Sequence, residues 1–176
     1  MRLSRNRILD TRALHRLVED SDEVGQLKTL LNESNDVLRS YHLGGAPSQD
    51  ILTAHAWLVD QVVKAIWEHH APSTEKGRSV ALVAVGGYGR SELHPGSDID
   101  LLVLFQKAPT KTQQRNTESL VRTLWDVGLT IGHSVRTLRD CTSQARNDVT
   151  VMTNLLESRA LAGDAELLSQ LKLRTG

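Results

Sequence analysis

Two short apolar runs, close together in the chain, set the strongest limit on what this sequence can fold into. The first, Val80-Ala81-Leu82-Val83-Ala84-Val85, stops at Gly86-Gly87, and the second, Leu101-Leu102-Val103-Leu104-Phe105, is entered through Asp98-Ile99-Asp100. Neither run alternates apolar with polar residues, and both are too short to be long helices. Continuous apolar runs of this length with β-branched residues predict strands buried on both faces. Such a sheet needs helices on each side, so the remaining sequence has to supply them.

Pro47-Ser48, with Ser48 read as an N-cap, precedes a periodic segment from Gln49 to His70. Its face of Ile51, Leu52, Leu58, Val59, Val62, Val63 and Ile66 repeats every three or four residues, the spacing of a packed helix. A broken helix or two short ones are expected between Leu9 and Leu31, interrupted near Ser21 to Gly25, and another helix from Thr112 to Val127 with Gly128 as its stop. Leu129, Ile131 and Val135 alternate with small or polar residues as in a half-buried third strand. The remainder reads as helical, with a break at Gly163. The expected fold is α+β: a small mixed sheet flanked by helices, with an amino-terminal helical segment. Residues 1–47 read as a helical extension and 48–176 as the main domain.

Charge narrows the function classes. Lys plus Arg number 21 and Asp plus Glu 21, so the chain is formally neutral, and aromatic residues make up 3%. A nucleic-acid binder is disfavoured, because phosphate neutralisation needs a basic excess and single-stranded bases need stacking platforms. One cysteine, Cys141, permits neither an internal disulfide nor a CxxC metal site. With no apolar stretch of membrane-spanning length, a cytoplasmic location without membrane contact is expected.

The chemistry is concentrated in Val85-Gly86-Gly87-Tyr88-Gly89-Arg90-Ser91-Glu92-Leu93-His94-Pro95-Gly96-Ser97-Asp98-Ile99-Asp100-Leu101. Alternate residues of a strand share a face, which puts Asp98 and Asp100 together. Two neighbouring carboxylates repel unless a divalent cation or a shared proton relieves them. Gly86 and Gly87 allow close backbone approach to a ligand, and Arg90 offers a bidentate charge for phosphate. The expected site is therefore a triphosphate held by Gly86, Gly87, Arg90 and Ser97, with Asp98 and Asp100 binding Mg²⁺ and serving catalysis. The Walker A sequence GK[ST] is missing, and Gly87-x-Gly89 lacks the rest of a dinucleotide fingerprint.

The apolar strand, diglycine and Asp-apolar-Asp-apolar sequence resemble the nucleotidyltransferase superfamily that includes DNA polymerase beta. More specifically, GGYGRSELHPGSDIDLLVLF, followed by GLTIGHSVRT and TNLLESRALAGD, is similar to the amino-terminal domain of the bacterial PII uridylyltransferase/uridylyl-removing enzymes. The resemblance covers about residues 48 to 170. It implies transfer of UMP from UTP to a tyrosine of the PII signalling protein, with Mg²⁺ required and pyrophosphate released. It also implies that Gly86 and Gly87 contact phosphate and that Asp98 and Asp100 bind metal. A nucleotidyltransferase with another acceptor, or a catalytically idle nucleotide-binding or interaction module, stands as the alternative.

Two departures accompany the resemblance. The superfamily commonly carries a third carboxylate on a later strand, where this chain offers Gly132, His133, Ser134 and Arg136; Glu92 and Asp126 are weak substitutes. The HD and ACT domains of the longer enzymes do not fit into 176 residues, so a fragment is expected. Elsewhere, His69-His70 reads as a solvated helix end and His133 as a core histidine more readily than a nucleotide contact. Arg136 is a lesser phosphate candidate. Trp57, Trp67 and Trp125 read as packing residues, and Cys141 has no visible activating partner.

Overall fold

The computed structural model describes residues 3–20, 24–72 and 77–175. Three helices come first: α1 (Arg5–Ile8), α2 (Thr11–Glu19) and α3 (Val24–Leu43). Asp10 caps α2 by accepting from the amides of Arg12 and Ala13. The break expected near Ser21 falls largely on residues 21–23, outside the described residues. Beyond it, α3 continues past Leu31 to Leu43, burying Leu27, Leu31, Leu38 and Tyr41. Helix α4 (Ser48–His70) follows the reading closely, except that Pro47 occupies the cap position and Ser48 is the first helical residue.

Strand β1 (Val80–Ala84) leads into a single helical turn, α5 (Gly86–Gly89). Then come β2 (Ile99–Phe105), α6 (Lys111–Asp126) and β3 (Ile131–Thr137). A capping box of Thr110 and Gln113 starts α6, and Gly128 in the left-handed region at φ 94° follows its end. The last elements are α7 (Leu138–Asn147), α8 (Val149–Leu156), β4 (Arg159–Gly163) and α9 (Ala165–Thr175). The fourth strand corrects the reading of this region as helix with a break.

The strand order is β3-β2-β1-β4. Antiparallel partners flank β1 on both sides, whereas β2 and β3 run parallel through the α6 crossover, so the sheet is mixed. In β2, Ile99, Leu101, Val103 and Phe105 share a core with Leu58, Val59, Val62, Val63 and Ile66 of α4 and with Leu120 and Leu124 of α6. Leu14, Leu27, Leu31 and Leu38 of the amino-terminal helices join the same core. Leu102 and Leu104 belong to a smaller core on the other face, with Leu138, Cys141, Leu167, Leu168 and Leu171. Each fully buried Leu or Val contributes about 1.5–3 kcal/mol, so the larger core dominates the stability. The fold is α+β: amino-terminal helices, then a four-strand mixed sheet flanked by helices.

Two readings of single residues change. Trp67 is buried and Trp57 packs against the larger core, but Trp125 is 57% exposed on the outer side of α6. His70 is half-buried rather than simply solvated, with its ring nitrogens 3.3 Å and 3.4 Å from the hydroxyls of Ser119 and Thr123.

Candidate active site

Asp100 is the second residue of β2 and shares its face with Leu102 and Leu104. It lies at the end of that face which the smaller core leaves open, and its side chain is exposed. Asp98 precedes the strand by one residue and is also exposed. Partial desolvation, then the Asp98 charge, raise the Asp100 carboxyl above the usual aspartate range, so the two acids lie within electrostatic reach of each other.

The diglycine bend meets the same carboxylate. Gly86 has φ 61°, a left-handed conformation that suits glycine, and a Cβ there would stand 3.4 Å from Asp100 Oδ2. On the other side, Gly132 of β3 lies in register with Asp100, and a Cβ there would come within 2.7 Å of Asp100 Oδ1. The carboxylate thus rests in a cradle of two residues without side chains. With Asp100 so placed, a side chain at position 132 would require its carboxylate to shift. Gly132 is the site residue the sequence reading passed over, and a glycine facing Asp100 across a parallel pair was its one available signal.

The remaining candidates are distributed around this cradle. Arg90 ends the α5 turn, where its Nη1 donates to Glu157 Oε2 at 2.6 Å and its Nε to Glu92 Oε2 at 3.2 Å. The two carboxylates raise the guanidinium pKa further, Glu157 foremost. Arg90 is therefore engaged with acids, and Glu92 with Arg90. Ser97 is exposed in a turn closed by its amide donating to the His94 carbonyl at 3.1 Å. Asp126 ends α6, which packs on the face opposite Asp100.

His133 is exposed, not a core residue, and borders a 290 Å³ groove with Phe105, Pro109 and Val135, away from the acids. Arg136 is bonded to Gln144 of α7. A larger cleft of 680 Å³ lies between α3 and α4, bordered by His94, Pro95 and Gly96 just ahead of the acid pair. His55 lines it, with Nδ1 3.1 Å from the Leu93 carbonyl, and burial lowers its pKa.

The donor chemistry fits a hard divalent cation: the Asp100 carboxylate lies beside Gly86, with a second carboxylate, Asp98, near enough to act on it electrostatically. Among the described residues no group of three or more His, Cys, Asp or Glu side chains could hold a metal, so phosphate or water oxygens would have to complete the ligand set.

A mixed sheet with a diglycine turn at the end of one strand and paired acids at the start of the next defines a class. Residues 59–149 match the nucleotidyltransferase domain family, more than half of the chain, and the protein belongs to that family. Among curated relatives, it is 39% identical over 152 residues to the bifunctional uridylyltransferase/uridylyl-removing enzyme of Ectopseudomonas mendocina (strain ymp), which covers 86% of this chain and 17% of the relative. It is 42% identical over 144 residues to the enzyme of the same description from Pseudomonas putida (strain F1), covering 82% of this chain and 16% of the relative. The chain therefore spans about a sixth of the length of these relatives. No helix among the described residues is long and apolar enough to cross a membrane.

Proposed function

We propose that this chain is a Mg²⁺-dependent nucleotidyltransferase domain that transfers UMP from UTP to a tyrosine hydroxyl of the PII signalling protein in the cytoplasm. Residues 48–176 form the transferase unit and residues 1–47 its helical extension. The observation that carries the reading is the Asp100 carboxylate lying between Gly86 and Gly132, with the Asp98 charge acting on it, in a chain about two-fifths identical to uridylyltransferases.

In this reading, Asp98 and Asp100 hold the cation through their carboxylate oxygens. Bound Mg²⁺ supplies charge neutralisation for the phosphates and lowers the barrier to attack by a hydroxyl. Gly86 and Gly87 let the backbone approach the phosphates, and Ser97 borders them. Arg90 contributes to phosphate binding through Nη2, which lies beside Gly87, while Nε and Nη1 hold Glu92 and Glu157. The phenolic oxygen forms a bond to the α-phosphorus, the bond from that phosphorus to the bridging oxygen breaks, pyrophosphate leaves, and the phenolic proton passes to water. The residues contribute placement and charge, the two terms on which phosphoryl-group chemistry chiefly depends.

A second reading, a module that binds nucleotide without transferring it, is favoured by β3 offering Gly132, His133, Ser134 and Arg136 where the superfamily commonly carries a third carboxylate. Incubation with labelled UTP, Mg²⁺ and purified PII separates the readings. Label on PII supports the transferase, binding without label supports the module, and no Mg²⁺-dependent binding overturns both.

A further inference from the structure

The diglycine turn is held from beneath by residues distant in sequence. Arg159, at the start of β4, donates from Nη1 to Asp60 Oδ2 at 2.7 Å and from Nη2 to Asp60 Oδ1 at 3.1 Å. The same Nη2 donates to the Tyr88 carbonyl at 3.1 Å, and the guanidinium lies 5.3 Å from the centroid of the Tyr88 ring. Asp60 belongs to α4, and its side chain is 13% exposed against 27% for Arg159. Tyr88 is buried. Gly89 completes the junction: a Cβ there would stand 2.9 Å from the Glu157 carbonyl oxygen and 3.0 Å from that of Ala84. Helix α4, the α5 turn, β1 and the Glu157–Arg159 segment therefore meet at the foot of the turn.

This geometry differs from an ordinary surface ion pair, which is solvated and loosely oriented. A shielded two-armed pair fixes direction, and such pairs are better at specifying one conformation than at adding net stability. The turn needs a fixed conformation, because two consecutive glycines would otherwise carry wide backbone freedom. Order imposed before binding lowers the cost of binding.

We infer that Asp60 and Arg159 are positioning residues that hold the Gly86–Gly89 turn in the geometry that receives nucleotide phosphates. They act through the Tyr88 carbonyl and ring and do not touch substrate. The inference rests on the nucleotidyltransferase reading for its purpose, but the ordering of the turn can be measured without nucleotide.

The test uses the full chain and three variants: Arg159→Lys, which keeps the charge and loses the fork; Asp60→Asn; and the paired apolar replacement Asp60→Leu with Arg159→Met. Amide hydrogen exchange is followed at Gly89 and Arg90, whose amides donate to the carbonyls of Val85 and Gly86 at 3.0 Å and 3.3 Å. Exchange there rises about tenfold or more in the folded single variants, while the β1–β2 ladder stays protected. In the apolar pair the thermal midpoint recovers but the fast exchange persists, a combination that a merely stabilising role would not produce. Unchanged exchange in Arg159→Lys, or full restoration of protection by the apolar pair, overturns the inference. Mg²⁺-UTP affinity is measured in parallel and falls about tenfold in Arg159→Lys. Loss of turn protection with unchanged affinity overturns the link to nucleotide. A parent chain that binds no Mg²⁺-UTP defeats the functional reading and that link, while exchange still decides whether the pair orders the turn.

Discussion

The two faces of the sheet are built from the same strands but do different work. On one, Ile99, Leu101, Val103 and Phe105 alternate along β2 into a core closed by α2, α3, α4 and α6. On the other, Leu102 and Leu104 meet a smaller core under α7 and α9, and the next residue in that row is Asp100, exposed. One strand thus serves stability with its odd-numbered residues and, with the first of its even-numbered ones, presents the carboxylate proposed to hold the cation. The large core makes this division workable, since it holds β2 in register while two like charges stand at its open end.

The comparison can be broken most sharply from its apolar side. Phe105→Ala, on the closed face, should cost about 3–5 kcal/mol in urea unfolding. Asp98→Asn and Asp100→Asn should reverse that pattern, each lowering metal-dependent nucleotide transfer roughly 100-fold, about 2.7 kcal/mol of transition-state stabilisation. Their unfolding free energies should stay within about 0.5 kcal/mol of the parent, as for exposed residues. A large loss of stability in either Asp variant would show that the faces are not separable.

Gly132→Ala probes the cradle between those extremes. A methyl group there pushes Asp100 aside, and Mg²⁺-nucleotide affinity should fall about tenfold, about 1.4 kcal/mol, in an otherwise folded chain. The smallest effects concern titration and access. Burial lowers the pKa of His55 and of His70, so the unfolded chain takes up these protons first as pH falls. Stability should accordingly decline as pH drops below about 6.5, the ordinary histidine value, and His55→Gln should remove part of that slope, leaving the part from His70. On the smaller core, burial pushes the Cys141 thiol up to about 11. Alkylation at pH 8 should therefore be slow in the folded chain and fast in urea; rapid labelling of the native protein would show that this core opens readily.

Much of this division could be read from residue order alone, for identifiable reasons. Strands β1 and β2 are unbroken apolar runs, and α4 and α6 repeat at helical spacing, so local pattern and burial agree. The meeting of Gly86 with Asp100 was legible because both flank those strands. Strand β4 was not: Arg159-Ala160-Leu161-Ala162-Gly163 has neither β-branched nor aromatic residues, and its strand character comes from pairing with β1 rather than from propensity. The pairings of Arg90 with Glu157 and of Asp60 with Arg159 link segments far apart in sequence, which no local spacing encodes. His133 and Trp125 were misjudged because alternation and periodicity report which residues share a face, not whether a neighbour covers it. At β3, an edge strand, the cover runs out toward Val135, which is 44% exposed.

The strand order carries a consequence for biosynthesis. The inner strand β1 acquires its second partner only from β4, which follows the other three strands of the sheet in chain order. Until Arg159–Gly163 leaves the ribosome, a nascent chain displays a bare apolar ribbon with unclaimed amides and carbonyls, an invitation to pair with other molecules. Ribosome-bound chains stopped before that segment should thus engage chaperones more strongly than chains released just after it.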